Sequence, residues 1–459
     1  MGTKQFSSII LAAGKGTRMN TTLPKVLHPV AGLPMILRVV EAVKKAGPEE
    51  VRVVVSIGAA LVKQVIEPIG VVCFEQRSQL GTADAVRAAS PETLTGNILI
   101  LNGDHPLLTP EDVRVFLEEF NSSGFDIAVV TAKLKRPGSL GRIIRQSGSI
   151  RAIVEVKDAS SETLRINEVN TGMYVIKSEI LNTFLPQIKD NNSKKEFYLT
   201  DIIALGIEAG LKVGTLEGKG HVAFGVNDQE ELSIANHLAY ARKLKSLQAG
   251  GVIILSKAST FVDEGVKVGS GTVLYPNVYL RGTTVLGSHC VVEPNCIVTD
   301  ARIENEVQLR AGSYLEKCLV KTKAVIGPFA RLRPGTEIGV EAHIGNFVEI
   351  KNTKIGDHAK ASHLTYLGDA DIGEGTNIGC GTITCNYAVD RKKYKTKIGK
   401  NVFVGSDSQF IAPVEVGDNA VIASGSTITK NVPAGALAVA RGKQFIKENY
   451  VKLEKVEKE

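Results

Sequence analysis

Residues 11–19 read LAAGKGTRM, directly after the apolar run FSSII, and Pro24-Lys25 follow shortly after. Two glycines expose backbone N–H groups, and Lys15, Arg18 and Lys25 supply fixed positive charge. Both features suit an anion, a phosphate above all. Two familiar phosphate loops fail on spacing. A Walker A loop needs four residues between its first glycine and Gly-Lys-Ser/Thr, which Gly14-Lys15-Gly16-Thr17 does not provide. A dinucleotide fingerprint needs a third glycine where Met19 stands.

The loop must sit at the end of a strand, and the first half of the chain supplies the setting. SSIILAAG, EVRVVVSIG, VVCFEQ and NILILNGD read as strands; MILRVVEAVKKAG, ALVKQVIEPIG and GTADAVRAAS read as helices between them. This βαβ alternation predicts a mostly parallel sheet with helices on both faces, binding its ligand at the carboxyl ends of the strands. The loop and Asn102-Gly103-Asp104 both fall there. DQEELSIANHLAYARKLKSLQ then predicts a long connecting helix, with Leu232, Ala235, Leu238, Ala239 and Arg242 on one side and Gly250-Gly251 at its end.

Beyond that helix an aliphatic residue returns every six positions, often followed by glycine, as in IGVEAH, IGNFVE, IGDHAK, IGEGTN and VGDNAV. A six-residue period fits a parallel β-helix, in which each hexad is a short strand plus a corner and stacked coils bury the aliphatic column. Two stretches, KASHLTYLGDA and CNYAVDRKKYKTK, break the rhythm with polar, basic and aromatic residues. A purely structural solenoid has no use for such breaks, and loops leaving a regular coil often carry function. The expected divisions are 1–229, a linker helix at 230–250 and a coil domain at 251–459.

Bulk properties narrow the class. A chain of 459 residues is long for one core. Its net charge of +7 is scattered, which favours small anionic substrates over nucleic acid. The six cysteines have neither zinc-site spacing nor a disulfide framework, and no apolar run is long enough to span a membrane. A cytoplasmic enzyme with no nucleic-acid or membrane partner is expected.

LAAGKGTRM with the following Pro-Lys resembles the signature of sugar-phosphate nucleotidyltransferases. Attack on the α-phosphate of a nucleoside triphosphate chiefly requires charge neutralisation along the phosphates, which Arg18, Lys25 and a divalent metal would supply. QLGTADAV, NGD, NTGMY and GVND match further segments of that family. With GNFVEIK, SHLTYLGD, the stretch around Gly379-Cys380-Gly381 and VFVGSD, the chain from about residue 7 to about 447 resembles the bifunctional bacterial enzymes that make UDP-N-acetylglucosamine, a precursor of peptidoglycan and lipopolysaccharide. The resemblance implies a Rossmann-like α/β nucleotidyltransferase domain followed by a left-handed parallel β-helix. It implies acetyl transfer from acetyl-CoA to glucosamine-1-phosphate, then uridylyl transfer from UTP to N-acetylglucosamine-1-phosphate. It also implies Mg2+ and a homotrimer.

Carried over residue by residue, it gives two sites. Lys25 and Arg18 would act on the phosphates. Leu11, Ala12, Ala13, Gly14, Gln76, Gly81, Thr82, Asn102, Gly103 and Asp104 would hold the nucleotide. Gly141, Glu155, Asn170 and Asn227 would lie on the sugar and metal side. Asp104 and Asn227 would offer magnesium the oxygen ligands it prefers, although an aspartate after glycine at a strand end also serves as a turn cap. His363 would be the general base, since the sugar amine must lose a proton and histidine titrates near neutral pH. Arg333, Lys351, Tyr366, Asn377 and Lys393 would bind the sugar phosphate. The segment from Tyr387 to Lys397 is one residue longer than in some members, which favours Lys393 over Lys392. Cys380, Asn386, Tyr387, Ser406, Ser424 and Arg441 would contact acetyl-CoA. Asn102, His105 and Cys380 depart from the family pattern. His289, His343 and His358 are expected to be structural.

Overall fold

The computed structural model describes residues 5–192, 194–448 and 450–451. The residues fall into two compact units, the first running to Arg242 and the second starting at Lys243.

In the first unit, strand Phe6–Ala12 is flanked in parallel by Val51–Ser56 on one side and Asn97–Asn102 on the other. Val72–Gln76 extends the parallel sheet beyond Val51–Ser56. These strands are continuous aliphatic runs because both faces are covered. Ile10, Val53, Leu99 and Leu101 pack into one core with helix Met35–Lys44, while Ile9, Val54, Ile98 and Ile100 pack into another with helix Thr82–Ala88. The strand order reverses at Phe6–Ala12, and such a switch point opens a crevice at the carboxyl ends. Farther out the sheet is mixed rather than parallel. Glu168–Lys177 runs antiparallel to both Asn97–Asn102 and Ile127–Lys133, with a bulge between Asn170 and Tyr174. The hairpin formed by Arg142–Gln146 and Ser149–Val154 adds to it.

Helix Gln229–Ala249 is shared between the units. Ala235 and Ala239 are buried in the first, among Val30, Met35, Leu107 and Val226, and Leu244 is buried in the core of the second. Leu238, which spacing placed on the buried side, is exposed. It sits about 100° round the helix from Ala239, and the alanines, not the leucine, take the close approach.

The second unit is a parallel β-helix whose coils mostly take 17 or 18 residues, as the pairings Val273↔Val291 and Val291↔Gln308 show, with a longer coil at Asn377↔Phe403 and a shorter one at Val421↔Leu437. Three aliphatic ladders fill its interior. One runs Leu274, Val292, Leu309, Ile326, Ile344; a second Leu280, Val298, Leu315, Leu332, Ile350; a third Leu286, Ile303, Val320, Ile338, Ile355. All are nearly or fully buried, and full burial of such a side chain stabilises by about 1.5–3 kcal/mol. Cys290, Cys296 and Cys318 take places in this core as free thiols, and burial pushes each thiol up.

The two breaks in the hexad rhythm have different structural meanings. KASHLTYLGDA does not leave the coil. Lys360–Gly368 is a nine-residue strand that runs round a corner beside its neighbour His343–Lys351. The second break is a true excursion, closed at its base by an antiparallel bridge between Tyr387 and Lys393.

Candidate active sites

In the first unit, a cavity of about 880 Å³ opens at the strand ends. Leu11, Ala12, Ala13, Gly14, Arg18, Lys25, Gln76, Gly81, Thr82, Asn102, Asp104 and Glu155 all line it. Gly141 and Asn170 line an adjoining pocket with Asn102, His105 and Glu155. Asn227 lines a third, with Lys15, Arg18, Lys25 and Gln79. Gly103 contributes from beneath, where a β-carbon would strike the Ile36 side chain.

Lys25 starts a short 3-10 turn after extended Pro24. Gly16, in the left-handed region at φ +61°, lets the lysine stem pass where a β-carbon would lie 2.5 Å from its own. The ammonium then spans two groups far apart in sequence, 2.5 Å from Asp104 Oδ2 and 3.0 Å from Asn227 Oδ1. Burial would raise the Asp104 carboxyl, but the charges of Lys25 and His105 outweigh it and hold it below the ordinary aspartate range. Its other oxygen, Oδ1, is buried without a hydrogen-bond partner. His105 Nδ1 meets the Val222 carbonyl at 2.9 Å, which leaves Nε2 at 3.5 Å from that oxygen.

Glu155 differs from Asp104: burial pushes its carboxyl up, and Lys194 only partly opposes this. Asn170 is held at both ends of its amide, donating to the Tyr174 hydroxyl at 3.0 Å and accepting from the Gly172 N–H at 2.8 Å. Residues given no role from the sequence, among them the Gln79 that opens QLGTADAV, complete the cavity. Gln79 donates to the Ala13 carbonyl, and Lys194, Tyr198 and Thr200 line the far wall. Their segment is strapped to the QLGT loop, with Phe197 N–H bonded to Leu80 O at 2.7 Å and Ala83 N–H to Phe197 O at 2.9 Å. Gly81 must be glycine there, at φ +119° with a would-be β-carbon 2.5 Å from Phe197 O.

In the second unit the site grows from the paired strands His343–Lys351 and Lys360–Gly368. Their register sets Asn346 beside His363 and Glu349 beside Tyr366. His363 is exposed, and its Nδ1 lies 2.9 Å from Asn346 Oδ1. When the ring donates to that oxygen, Nε2 is left bare and free to accept a proton. Asn346, which lies in GNFVEIK but was given no role there, stands one coil before His363, so the repeat length was the signal. Nearby, Arg333 donates to Glu349 Oε1 at 2.8 Å. Lys351 is lowered by the neighbouring Lys393 ammonium, with a smaller push from Arg333. The excursion thus carries Lys393, rather than Lys392, to Lys351. Asn386, buried, donates to Asp369 Oδ2 at 2.5 Å, while Tyr387 is exposed. Cys380, Ser406 and Ser424 step along one column of the coil, linked by Asp407 N–H to Cys380 O at 2.7 Å and Gly425 N–H to Ser406 O at 2.8 Å. Arg441 caps the column, donating to Ser424 O at 2.7 Å. Asn377 lies on the strand beside Lys360–Ala361 and Phe403–Val404.

The chain matches the MobA-like NTP transferase domain over residues 8–177 and the bacterial transferase hexapeptide model, six repeats, over residues 395–430. It is 58% identical to the bifunctional protein GlmU of Bdellovibrio bacteriovorus, over 96% of each chain. It is 44% identical to that of Carboxydothermus hydrogenoformans, over 97% of this chain and 100% of the relative, and 42% identical to that of Geotalea uraniireducens, over 97% and 98%. The chain belongs to the bifunctional GlmU family. It is an enzyme, a nucleotidyltransferase and an acetyltransferase in one polypeptide, with a Rossmann-like first domain and a left-handed parallel β-helix second. Among the described residues no helix is long and apolar enough to cross a membrane.

An Asn346→Asp variant tests whether Asn346 positions His363 for the acetyl transfer expected of a GlmU family member. A carboxylate beside the ring favours its protonated form, whereas a base must be unprotonated to act. The acid limb of kcat/KM for acetyl transfer should therefore move to higher pH by roughly one unit, with KM for the sugar little changed. An unmoved profile would remove Asn346 from the site.

Proposed function

We propose that the first domain transfers uridylyl from UTP to N-acetylglucosamine-1-phosphate, and that the β-helix domain makes this acceptor by acetylating glucosamine-1-phosphate with acetyl-CoA. The working divisions are 1–229 and 251–459, with the helix at 230–250 between them, in a cytoplasmic protein. The convergence of Arg333, Lys351 and Lys393 at the strand pair that also carries Asn346 and His363 supports this reading. Clustered cations raise one another's energy and suit a phosphomonoester dianion, and a module serving only assembly needs neither them nor an exposed base. In the acetyl step His363 Nε2 takes the amine proton as nitrogen attacks the thioester carbon. The C–N bond forms, the C–S bond breaks, and the departing sulfur leaves as thiolate to be protonated. Cys380, Ser406, Ser424 and Arg441 offer the cofactor a track of backbone and side-chain groups, and Asn386 and Tyr387 border it.

In the first domain, Asp104 and Asn227 are suited to magnesium. Asp104 Oδ1 accepts no hydrogen bond and suits a cation, and Gly225 keeps the space open, since a β-carbon there would come 3.0 Å from His105 Nε2 and 3.8 Å from that oxygen. Few protein ligands suffice for magnesium, which retains waters and takes phosphate oxygens; when bound it neutralises phosphate charge. Lys25, Arg18 and Lys15 hold the phosphates, Gln76 and the Gly81–Thr82 turn seat the nucleoside, and Glu155 and Asn170 orient the sugar. Product analysis after incubation with glucosamine-1-phosphate, acetyl-CoA, UTP and magnesium tests the whole reading; UDP-N-acetylglucosamine must form, and must fail to form without acetyl-CoA.

A homotrimer accounts for an apolar ridge on the coil. Phe329, Phe347 and Leu364 occupy one corner position on successive coils, 56%, 59% and 61% exposed, and the two rings stack at 5.8 Å. Phe347 and Leu364 are sequence neighbours of Asn346 and His363, so a second subunit on this ridge would wall the open acetyl-transfer site. A Phe329→Glu/Phe347→Glu variant should sediment as a monomer, lose acetyl transfer and keep uridylyl transfer. A trimer with normal acetylation would sink this assignment.

A further inference from the structure

The group that bridges the two metal-ligand candidates is already a cation. The Lys25 side chain is only 12% exposed, and its Nζ contacts Asp104 Oδ2 at 2.5 Å and Asn227 Oδ1 at 3.0 Å. A divalent ion drawing on both oxygens must contend with that ammonium. The pair Lys25–Asp104 is neutral as it stands; adding a divalent ion without moving Lys25 leaves two positive centres against one carboxylate, in a mostly buried place where charges are poorly screened. Asp104 Oδ1, buried without a hydrogen bond and 3.5 Å from His105 Nε2, offers the entering ion a first contact while Oδ2 is still occupied. Lys15 and Arg18 share the chamber with Lys25, so an ammonium released from Asp104 turns into a phosphate-binding space.

We propose that Lys25 is the resident cation of the metal site: it holds Asp104 and Asn227 together until a divalent ion displaces it, and the freed ammonium then pairs with the nucleotide's phosphates. Metal and nucleotide thus bind in concert, because the charge that metal entry liberates is the charge the triphosphate neutralises. This rests on Asp104 and Asn227 being the metal ligands.

Manganese binding to the nucleotide-free full-length protein, followed by the electron-spin-resonance signal of free Mn2+, tests it. Lys25→Met keeps the stem and removes the charge. It should bind Mn2+ about tenfold or more tighter than the wild type, as expected when a charge-assisted competitor is lost, and UTP should tighten Mn2+ less than in the wild type. Equal or weaker Mn2+ binding by Lys25→Met, with binding abolished in Asp104→Asn, overturns the exchange and leaves the metal site standing. Undiminished binding in Asp104→Asn instead overturns the metal-site reading on which it rests. A wild-type crystal soaked in manganese gives an independent check should the variant misfold. An anomalous peak at Asp104 with Lys25 swung away supports exchange; a peak with the ion pair intact overturns it.

Discussion

Replacing His363 by alanine should lower acetyl transfer by about 10²–10⁴-fold, the usual contribution of a positioned general base. The β-helix should survive. His363 is exposed on the outer face of strand Lys360–Gly368, while Ala361, Thr365 and Leu367 on the same strand point into the coil. The melting temperature should therefore stay within a degree or two of the parent, in keeping with a surface substitution away from packing. Uridylyl transfer from supplied N-acetylglucosamine-1-phosphate should not change. If His363 only braced Asn346 across the coil, the result would be reversed: a lowered melting temperature with nearly intact acetylation. Measuring both on one preparation separates the two.

Asp104→Ala should produce the opposite pattern. Lys15, Arg18 and Lys25 share one chamber of the first unit, and removing the Asp104 carboxylate leaves Lys25 without its 2.5 Å partner and the metal without the only charged ligand of the proposed pair. Uridylyl transfer should fall by at least about 10²–10³-fold, the loss typical of deleting one preorganised charge-stabilising group, while acetyl transfer continues. The intermediate N-acetylglucosamine-1-phosphate should accumulate when all substrates are supplied. Near-normal uridylyl transfer at limiting magnesium would take Asp104 out of the metal site and leave it as a partner for Lys25 alone.

Local pattern carried much of this into view. The six-residue return of aliphatic residues dictates the β-helix directly, because each hexad can bury its aliphatic side chain only against the coils above and below it. The glycine loop and Pro24-Lys25 point to a phosphate site because bare backbone N–H groups and fixed positive charge together suit an anion. Three kinds of information were missing. Whether a break in the rhythm leaves the coil depends on hydrogen bonding that a one-dimensional pattern does not contain; KASHLTYLGDA stays in the ladder, and CNYAVDRKKYKTK departs from it. The sheet's antiparallel strand Glu168–Lys177 reads like any other aliphatic run, since direction leaves no mark on composition. On the connecting helix, periodicity grouped Leu238 with Ala235 and Ala239, and close packing buries only the two alanines of these three.

By itself, then, the sequence determined the two architectures and the residue types available for chemistry, because periodicity and loop composition are local properties. Tertiary structure decided which of those residues meet. Lys25 reaches Asn227 across 202 positions, the Phe197 segment closes over the QLGT loop, and Asn346 comes to His363 only because one turn of the coil is 17 residues long there. Such meetings arise from chain closure around a packed core, and no residue's immediate neighbours in sequence can specify them.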